Sequence, residues 1–305
     1  MRVYINRKPV TGPWGGGNKT LTELVKQLVN AGHEVVYQLN HNDIDLIFCF
    51  DPRPNNIGEW YQNFIDYKIK HRTPIVQRVG DCGTHGKPQL TDLVKQSVQY
   101  SDFIIFPSDW ARKLIGFEGD NYEVIYNAPL PAFHKSKKEQ VREDDKIRVI
   151  THHWSTNPKK GYTFYKQLDD YIKRDTDVSF TYIGRWPLEP LRNSEYYSPT
   201  GDNKFISEKI STCDIYLTAS EEEAGANHVL EGMACGLPVV YHMNGGSIPE
   251  YCHGYGLGFE NFDQMIASLR AVKKDYNRYK SNVLKYEDNV TRVVKKYVET
   301  ICNIK

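Results

Sequence analysis

Two carboxylates, Glu223 and Glu231, bracket a run of small residues in the segment 220–240, SEEEAGANHVLEGMACGLPVV. The small residues 224–226 stand where a helical pattern begins, so they leave the first amides of that helix uncovered. Uncovered N–H groups and the positive end of a helix dipole bind a diphosphate, and ionised carboxylates accept hydrogen bonds from vicinal hydroxyls. A nucleotide sugar lying across the helix start would meet both demands.

Glu231 is harder to explain as a surface charge than the acidic residues before the helix. The glutamates at 221–223 would favour the helix dipole wherever they are exposed, which is a purely structural role. Glu231 instead stands among the apolar residues of VLEGMA, 229–234. A carboxylate that is not solvated there needs a hydrogen-bond partner.

The segments that must position these carboxylates alternate between short β-rich runs and longer helical patterns, as is typical of βαβ units in a mostly parallel sheet. A helix is predicted over 20–32, ending at Gly32 as its C-cap. The other predicted helices lie near 90–100, 161–174, 203–212 and 225–235 and beyond 261. The predicted strands are RVYI, EVVYQL, DLIFCF, PIVQRV, DFIIFPS, EVIYNA, KIRVITHHW, VSFTYIG, DIYLTAS, LPVVYH and LGFE.

The length of 305 residues fits two α/β domains rather than one. We predict an N-terminal Rossmann-like domain over 1–133, a charged connector over 134–146, and a C-terminal Rossmann-like domain over 147–284. A C-terminal helix at about 285–305 would pack back on the first domain. Because ligands bind beyond the carboxyl ends of parallel strands, we expect both sheets to face a central cleft.

A glycine run follows the first predicted strand, in VTGPWGGGNKT at 10–20. Gly16 and Gly17 just before a helix would let the backbone approach an anion, although a plain flexible turn explains the run equally well. It is not a P-loop, because Asn18 stands where that motif requires glycine.

Three segments together resemble the retaining glycosyltransferases of glycosyltransferase family 4, which have the GT-B fold. EAGANHVLEGMACGLPVV (223–240) resembles the E-x7-E signature of that family, with Gly232 in place of the usual Ala, and the following GGSIPE is similar to the family's Gly-Gly-x-x-Glu stretch. THHWSTNPKKGYTFY (151–165) resembles the Arg-x-x-x-x-Lys-Gly region, with Trp154 or Ser155 where the family has arginine. SFTYIGRWP (179–187) resembles the loop beside the nucleotide base.

The resemblance implies roles for individual residues. Glu223 would hold the hydroxyls of the donor sugar, Glu231 the ribose, and Lys160 the β-phosphate of the departing nucleotide, although Lys159 is an equal candidate by sequence. The other donor-binding residues are predicted to be Gly16, Gly17, Ser155, Gly184, Arg185, Gly225, Ala226 and Asn227.

The resemblance also implies the reaction: a nucleoside-diphosphate sugar, UDP- or GDP-linked, gives its sugar to a hydroxyl of a glycan or another acceptor with retention of configuration. Helix N–H groups and Lys160 would stabilise the diphosphate charge, so no cofactor and no metal is expected. A D-x-D occurs at Asp43 to Asp45, but it precedes a strand and so lies away from the carboxyl ends. A nucleotide-sugar 2-epimerase of GT-B fold and a non-catalytic nucleotide-sugar-binding protein stay open as alternatives.

The acceptor side is expected in the loop RVGDCGTHGKPQ (78–89), where Asp81 and His85 are the candidates for sugar or acceptor contact. The adjacent His152 and His153 point to opposite faces of their strand, so at most one of them can face the site. Hydrogen-bonded histidines are the simpler interpretation of the pair.

The charge balance and hydropathy of the sequence argue against nucleic acids and membrane spans as binding partners or environments. Lys and Arg total 39 against 38 Asp and Glu, which lacks the positive excess of a nucleic-acid-binding surface. No apolar run approaches the roughly 20 residues of a bilayer span, and the first residues lack the apolar segment of a signal peptide, so we expect a cytoplasmic chain. Basic residues in 271–288 leave peripheral membrane contact open, although interspersed acids favour a solvated helix.

Six cysteines without a C-x-x-C pair predict buried free thiols.

Overall fold

The computed structural model describes residues 1–11, 16–137, 141 and 144–304. The chain divides into two compact units: an N-terminal unit made of Met1–Asn127 and Val290–Lys305, and a C-terminal unit made of Ala128–Asn289. Within the described residues each unit is built on a sheet of six parallel strands with helices around it.

The N-terminal unit has the strand order β2-β1-β3-β4-β5-β6. Its central strands are buried along their whole length, as strands covered by helices on both faces must be. The strands are β1 (Arg2–Ile5), β2 (Glu34–Val36), β3 (Leu46–Cys49), β4 (Ile75–Arg78), β5 (Phe103–Phe106) and β6 (Tyr122–Val124), and the helices between them are α1 (Gly16–Asn30), α2 (Tyr61–His71), α3 (Pro88–Ser97) and α4 (Asp109–Ile115).

The C-terminal unit has the strand order β12-β11-β10-β7-β8-β9, so the order reverses between β7 and β10. Its strands are β7 (Ile147–His153), β8 (Val178–Gly184), β9 (Glu195–Tyr197), β10 (Ile215–Thr218), β11 (Val239–His242) and β12 (Gly256–Phe259). Its helices are α5 (Pro131–Lys135), α6 (Tyr162–Tyr171), α7 (Asn203–Ser211), α8 (Asn227–Ala234), α9 (Ile248–Tyr251), α10 (Phe262–Lys274) and α11 (Tyr276–Val283).

The last helix, α12 (Val290–Asn303), lies in the N-terminal unit and packs along α1. The Gln27 side chain on α1 donates a hydrogen bond to the backbone oxygen of Thr291, at 2.9 Å. Tyr297 is buried, and its hydroxyl accepts a hydrogen bond from Arg78 at 3.3 Å. The N-terminal unit is therefore completed by a helix that follows the whole C-terminal unit in the chain.

The boundary between the units falls after Asn127, earlier than the predicted end at 133. The cause is α5, whose Phe133 is fully buried against the C-terminal unit. Lys137 then donates to the backbone oxygens of Leu284 and Tyr286, at 3.1 and 2.9 Å. The predicted connector therefore begins as packed structure, and its residues 138–140 and 142–143 lie outside the described residues.

The predicted strands are confirmed, usually with shorter bounds, and the predicted helices are confirmed as well. One strand, β9, was not predicted, because EYY is short and largely exposed at the edge of its sheet. The prediction that Gly16 and Gly17 precede the first helix is wrong, since α1 begins at Gly16. The Asn18 side chain bonds both the N–H and the C=O of Val10, which ties Val10 to the first turn of α1.

Five of the cysteines are buried free thiols, as predicted, and Cys302 is exposed. Among the helices of the described residues, none combines the length and the apolar character needed to cross a bilayer.

Candidate functional site

The carboxyl ends of β7 and β10 meet at the point where the strand order of the C-terminal sheet reverses. In open α/β sheets this switch point is where ligands bind. β7 ends with the adjacent histidines His152 and His153, and β10 ends with Thr218, which leads into the acidic loop and α8. The topology therefore brings both sequence segments with the strongest chemical pattern to one edge.

Glu231 has the partner that its apolar surroundings require. Its Oε2 lies 2.7 Å from Nε2 of His152, and both side chains are largely buried. The other ring nitrogen of His152, Nδ1, lies 2.8 Å from the hydroxyl of Tyr216, which is fully buried on β10. A chain of polar contacts thus runs from β10 through β7 to α8.

The contacts of the Tyr216 hydroxyl are compatible with one tautomer of His152. That hydroxyl accepts a hydrogen bond from the backbone N–H of His152 at 3.3 Å, and burial raises the pKa of Tyr216 well above its usual value. The hydroxyl therefore keeps its proton, and the tautomer of His152 in which Nδ1 accepts from Tyr216 and Nε2–H donates to Glu231 satisfies all three groups.

Gly232 makes room for this arrangement. A Cβ at residue 232 would lie 2.5 Å from both Cγ and Cδ2 of the Tyr216 ring, well inside ordinary van der Waals separation. The glycine that departs from the family pattern therefore stands directly against the tyrosine that holds His152.

Lys160 and Glu223 form an ion pair in which each side chain is only 13% exposed. The neighbouring pair of Lys159 and Glu222 is more exposed, at 36% and 42%. Gly161 has a φ of 77°, and a side chain there would collide with the backbone of Ala219. This glycine lets the lysine loop approach the end of β10 and so brings Lys160 to the acidic loop.

The backbone of Glu223 is held by the glycine-rich segment after β11. Glu223 forms a parallel bridge with Gly246, and its C=O accepts from the N–H of Ser247 at 2.8 Å. The preceding Glu222 has a φ of 51°, a left-handed conformation that non-glycine residues adopt at a cost and that is enriched at functional sites. The carboxylate of Glu223 is therefore presented by a loop fixed on both sides.

The start of α8 differs in detail from the prediction. The helix begins at Asn227 rather than near Gly225. The N–H of Ala226 donates to Oγ of Ser247 at 3.3 Å, so one of the three amides predicted for the diphosphate or sugar already has a side-chain partner. The first amides of α8 itself, at Asn227 and the residues after it, have no intrahelical acceptor, as in any helix.

A second histidine pair lies behind the ion pair. His153 bonds the buried hydroxyl of Tyr165 at 2.7 Å, and His228 in the first turn of α8 bonds Thr218 at 2.9 Å. Burial, together with the nearby charge of Lys160, lowers the pKa of His228 to about 3, even though the charge of Glu223 acts in the opposite direction. Burial beside His228 likewise lowers the pKa of His153 well below its usual value, so both stay neutral.

The segment beside the predicted nucleotide base is also positioned by a close approach. Gly184 has a φ of 133°, and a side chain there would collide with the backbone oxygen of His153. The following Arg185 is exposed, with its guanidinium 4.8 Å from the ring centroid of Trp154. Trp154 is 42% exposed. Ser155 turns inward to accept the N–H of Asn157 at 3.1 Å.

The predicted residues of the N-terminal unit lie at the carboxyl ends of its strands. Asp81, in the loop after β4, accepts the N–H of Gly83 at 2.9 Å and pairs with Lys87 at 2.8 Å. His85 is partly exposed in the same loop. Gly16 and Gly17 form the first turn of α1, and a side chain on Gly17 would approach Phe50 without collision.

The D-x-D lies at the amino end of β3, as predicted, where both acids hold Arg2. Within the described part of the chain, no three His, Cys, Asp or Glu side chains are grouped so as to hold a metal ion.

Four contributors to the site had no role in the sequence analysis: Tyr216, Ser247, Thr218 and His228. The sequence singles out His152 and predicts that Glu231 needs a hydrogen-bond partner, but it does not connect the two residues. A pattern signal existed only for His228, a histidine in the first turn of the helix that carries Glu231.

Comparison with known proteins shows what the chain is similar to. Residues 147–275 match the family model described as Glycosyl transferases group 1, and none of the curated proteins matches the chain. The apo form of the lipopolysaccharide outer core galactosyltransferase WaaB is similar to the chain with a TM-score of 0.71 at 14% identity, and 99% of each chain is covered. WaaG, a glycosyltransferase involved in lipopolysaccharide biosynthesis, gives a TM-score of 0.63 at 14% identity over 100% of both chains.

A third similar structure is an alpha-glucosyltransferase in complex with UDP and a 13-mer DNA, with a TM-score of 0.61 at 14% identity and 99% of each chain covered. At such identities the likeness to these structures shows the fold. The chain therefore has the GT-B fold, and its residues 147–275, which include Lys160 and Glu223, are similar to the group 1 glycosyltransferases.

Proposed function

We propose that this protein is a glycosyltransferase, which moves a sugar from a UDP- or GDP-linked donor to a hydroxyl of a glycan or another acceptor, with retention of configuration and without a metal. The observation that carries the proposal is the Lys160–Glu223 ion pair beside the start of α8. A cation for a phosphate and an anion for sugar hydroxyls are held there by two fixed loops, at the ligand-binding edge of the sheet.

The chemical demand on the site is electrostatic. As the glycosidic bond to the donor sugar lengthens, negative charge grows on the β-phosphate of the leaving nucleotide. Lys160 and the first amides of α8 would stabilise that charge, since fixed donors in a water-poor site act most strongly on charge that develops in the transition state. These groups would provide the positive potential without a divalent ion.

The ion pair itself would exchange partners when the donor binds. The diphosphate would take the ammonium of Lys160, and the sugar hydroxyls would take the carboxylate of Glu223, so neither charge is left unpaired. Glu231 would accept hydrogen bonds from the ribose hydroxyls, and the backbone of Gly225, Ala226 and Asn227 would contact the diphosphate or sugar. For Ala226 this requires its N–H to leave Ser247.

The loop after β8 would cover the nucleotide. Arg185 is exposed and is the cation in the loop predicted to lie beside the nucleotide, so we assign to it part of the charge that the family's missing arginine would have supplied. Trp154, at or next to the position of that arginine, offers a partly exposed aromatic face. Gly184 and Ser155 would contact the nucleotide through their backbone.

The acceptor would be bound by the N-terminal unit, where Asp81 and His85 are the proposed contacts and Gly16 and Gly17 the proposed anion-binding backbone. The near balance of 39 basic and 38 acidic residues supports a glycan or small hydroxyl acceptor rather than a nucleic acid. One similar structure holds UDP and DNA, so nucleic acid belongs among the acceptors to be tested.

The two lysine–glutamate pairs provide a matched test. We expect Lys160→Ala to lower kcat by about 10²- to 10³-fold, the usual cost of removing one electrostatic contact to the transition state. Lys159→Ala, which removes the more exposed pair, should stay within about threefold of the unchanged protein. Release of free sugar and nucleoside diphosphate without acceptor is the first assay, and transfer to an acceptor panel is the second.

The outcomes separate the alternatives. Equal kinetics of the Lys160 and Lys159 variants would remove the basis of the proposal. Conversion of a UDP-sugar to its 2-epimer without acceptor would identify an epimerase, and donor affinity without turnover would identify a binding protein. Activity should survive EDTA, and loss that manganese restores would refute the metal-free mechanism.

A further inference from the structure

We propose that His152 is a positioning residue: held by Tyr216, it orients Glu231 toward the ribose of the donor and so makes the site select ribonucleotides over deoxyribonucleotides. This inference rests on the proposed use of a nucleoside-diphosphate donor. It adds two residues and a selectivity to that function.

The contacts of Glu231 fix the orientation of its carboxylate, which would be free to rotate in an exposed glutamate. Oε2 of Glu231 lies 2.7 Å from Nε2 of His152, and Nδ1 of His152 lies 2.8 Å from the hydroxyl of Tyr216, which is fully buried. The three side chains come from three different elements, β10, β7 and α8, so the carboxylate plane is fixed against the sheet rather than by its own helix. A hydroxyl approaching this edge therefore meets an acceptor whose direction is already set.

The expected size of the selectivity follows from the hydrogen bond that the Glu231 carboxylate would accept from a ribose hydroxyl. Hydrogen bonds to a charged acceptor contribute about 1.5–3 kcal/mol, which corresponds to about 10- to 150-fold in affinity. Removal of one ribose hydroxyl from the ligand should cost a factor in this range.

The alternative is that the contact merely satisfies a buried carboxylate. In that case, loss of His152 would reduce stability but would leave the preference between ribose and deoxyribose unchanged. The ratio of the two affinities therefore separates positioning from structure, because a general loss of folding or of affinity cancels in it.

The experiment measures dissociation constants by calorimetric titration of the full chain. UDP and GDP identify the base, and the 2′-deoxy and 3′-deoxy forms of the better ligand then give the selectivity ratio. His152→Leu removes the donor, and His152→Gln keeps an N–H donor near the position of Nε2. Tyr216→Phe keeps the ring in its place and removes only the hydroxyl, so it tests the same point if the His152 variants do not fold.

We expect the unchanged protein to bind the ribonucleotide at least about tenfold more tightly than its 2′-deoxy or its 3′-deoxy form. Both Glu231→Gln and His152→Leu should bring this ratio of dissociation constants below about threefold. His152→Gln should restore most of it, and Tyr216→Phe should lower it by at least about threefold.

Selectivity that Glu231→Gln removes but both His152→Leu and Tyr216→Phe retain would overturn the inference while the donor assignment stands. A ratio near one in the unchanged protein would overturn it as well. Failure of both nucleotides to bind the unchanged protein would contradict the proposed function itself, which is a separate result.

Discussion

Gly232→Ala should destabilise the C-terminal unit although alanine is the better helix former. Within a helix this substitution by itself contributes about 1 kcal/mol of stability. Here the new Cβ would lie 2.5 Å from two ring carbons of Tyr216 and 3.0 Å from its Cβ. The ring cannot easily move, because it is fully buried and its hydroxyl holds His152.

Overpacking of this kind costs typically about 1–3 kcal/mol. Because the contacts are with ring carbons, we place the cost at the upper end, which leaves a net loss of about 1–2 kcal/mol after the gain in helix propensity. For a unit of this size the corresponding fall in Tm is about 2–8 °C. Displacement of the tyrosine should also weaken donor binding, since the orientation of Glu231 depends on it.

Thermal unfolding of the full chain measures the effect, and a Tyr216→Ala background supplies the control. Without the ring, the same Gly232→Ala change should become stabilising by several tenths of a kcal/mol or more, so the double-mutant cycle should show a coupling of about 2 kcal/mol. A rise in Tm when Gly232→Ala is made alone would refute the reasoning.

Three further predictions concern stability. The pKa values of His153 and His228 are lowered in the folded state, so their contribution to the free energy of unfolding is complete above the unfolded pKa of about 6.5 and is lost as pH falls below it. Urea unfolding should therefore show about 2–3 kcal/mol less stability at pH 5.5 than at pH 7.5. His228→Gln should reduce that difference. Asp169→Asn should cost about 1–3 kcal/mol and weaken nucleotide binding, because the buried carboxylate accepts three hydrogen bonds of 2.7 to 3.0 Å that hold residues 192–194 beyond β8; a normal Tm would contradict this. Lys280→Met should lower the Tm of the C-terminal unit, since the buried ammonium donates to the backbone oxygen of Gly236 at 2.6 Å, and an unchanged Tm would show that this hydrogen bond contributes no net stability.

The alternation of strands and helices was predictable because parallel strands buried on both faces are uniformly apolar. β3 (LIFC) and β5 (FIIF) are examples that need no tertiary information. The edge strand β9 could not be predicted, for the opposite reason: its three residues are largely exposed and show no apolar pattern.

In the site, the need of Glu231 for a partner could be predicted from its neighbours, but the identity of that partner could not. It depends on the register between β7 and β10, which aligns Ile150 with Tyr216, and on the packing of α8 against β10. The role of Gly232 was hidden for the same reason: its departure from the family pattern has meaning only beside the ring of Tyr216.

The position of α12 has a consequence for synthesis on the ribosome. α1 packs along α12, a helix that buries Val293, Val294 and Tyr297 and is made only after residues 128–289 have been translated. At about 5–20 residues per second, that delay is roughly 8–30 s. The second unit thus has time to fold while the first still lacks its last helix, so the nascent chain must keep an incomplete hydrophobic surface from aggregating during that interval.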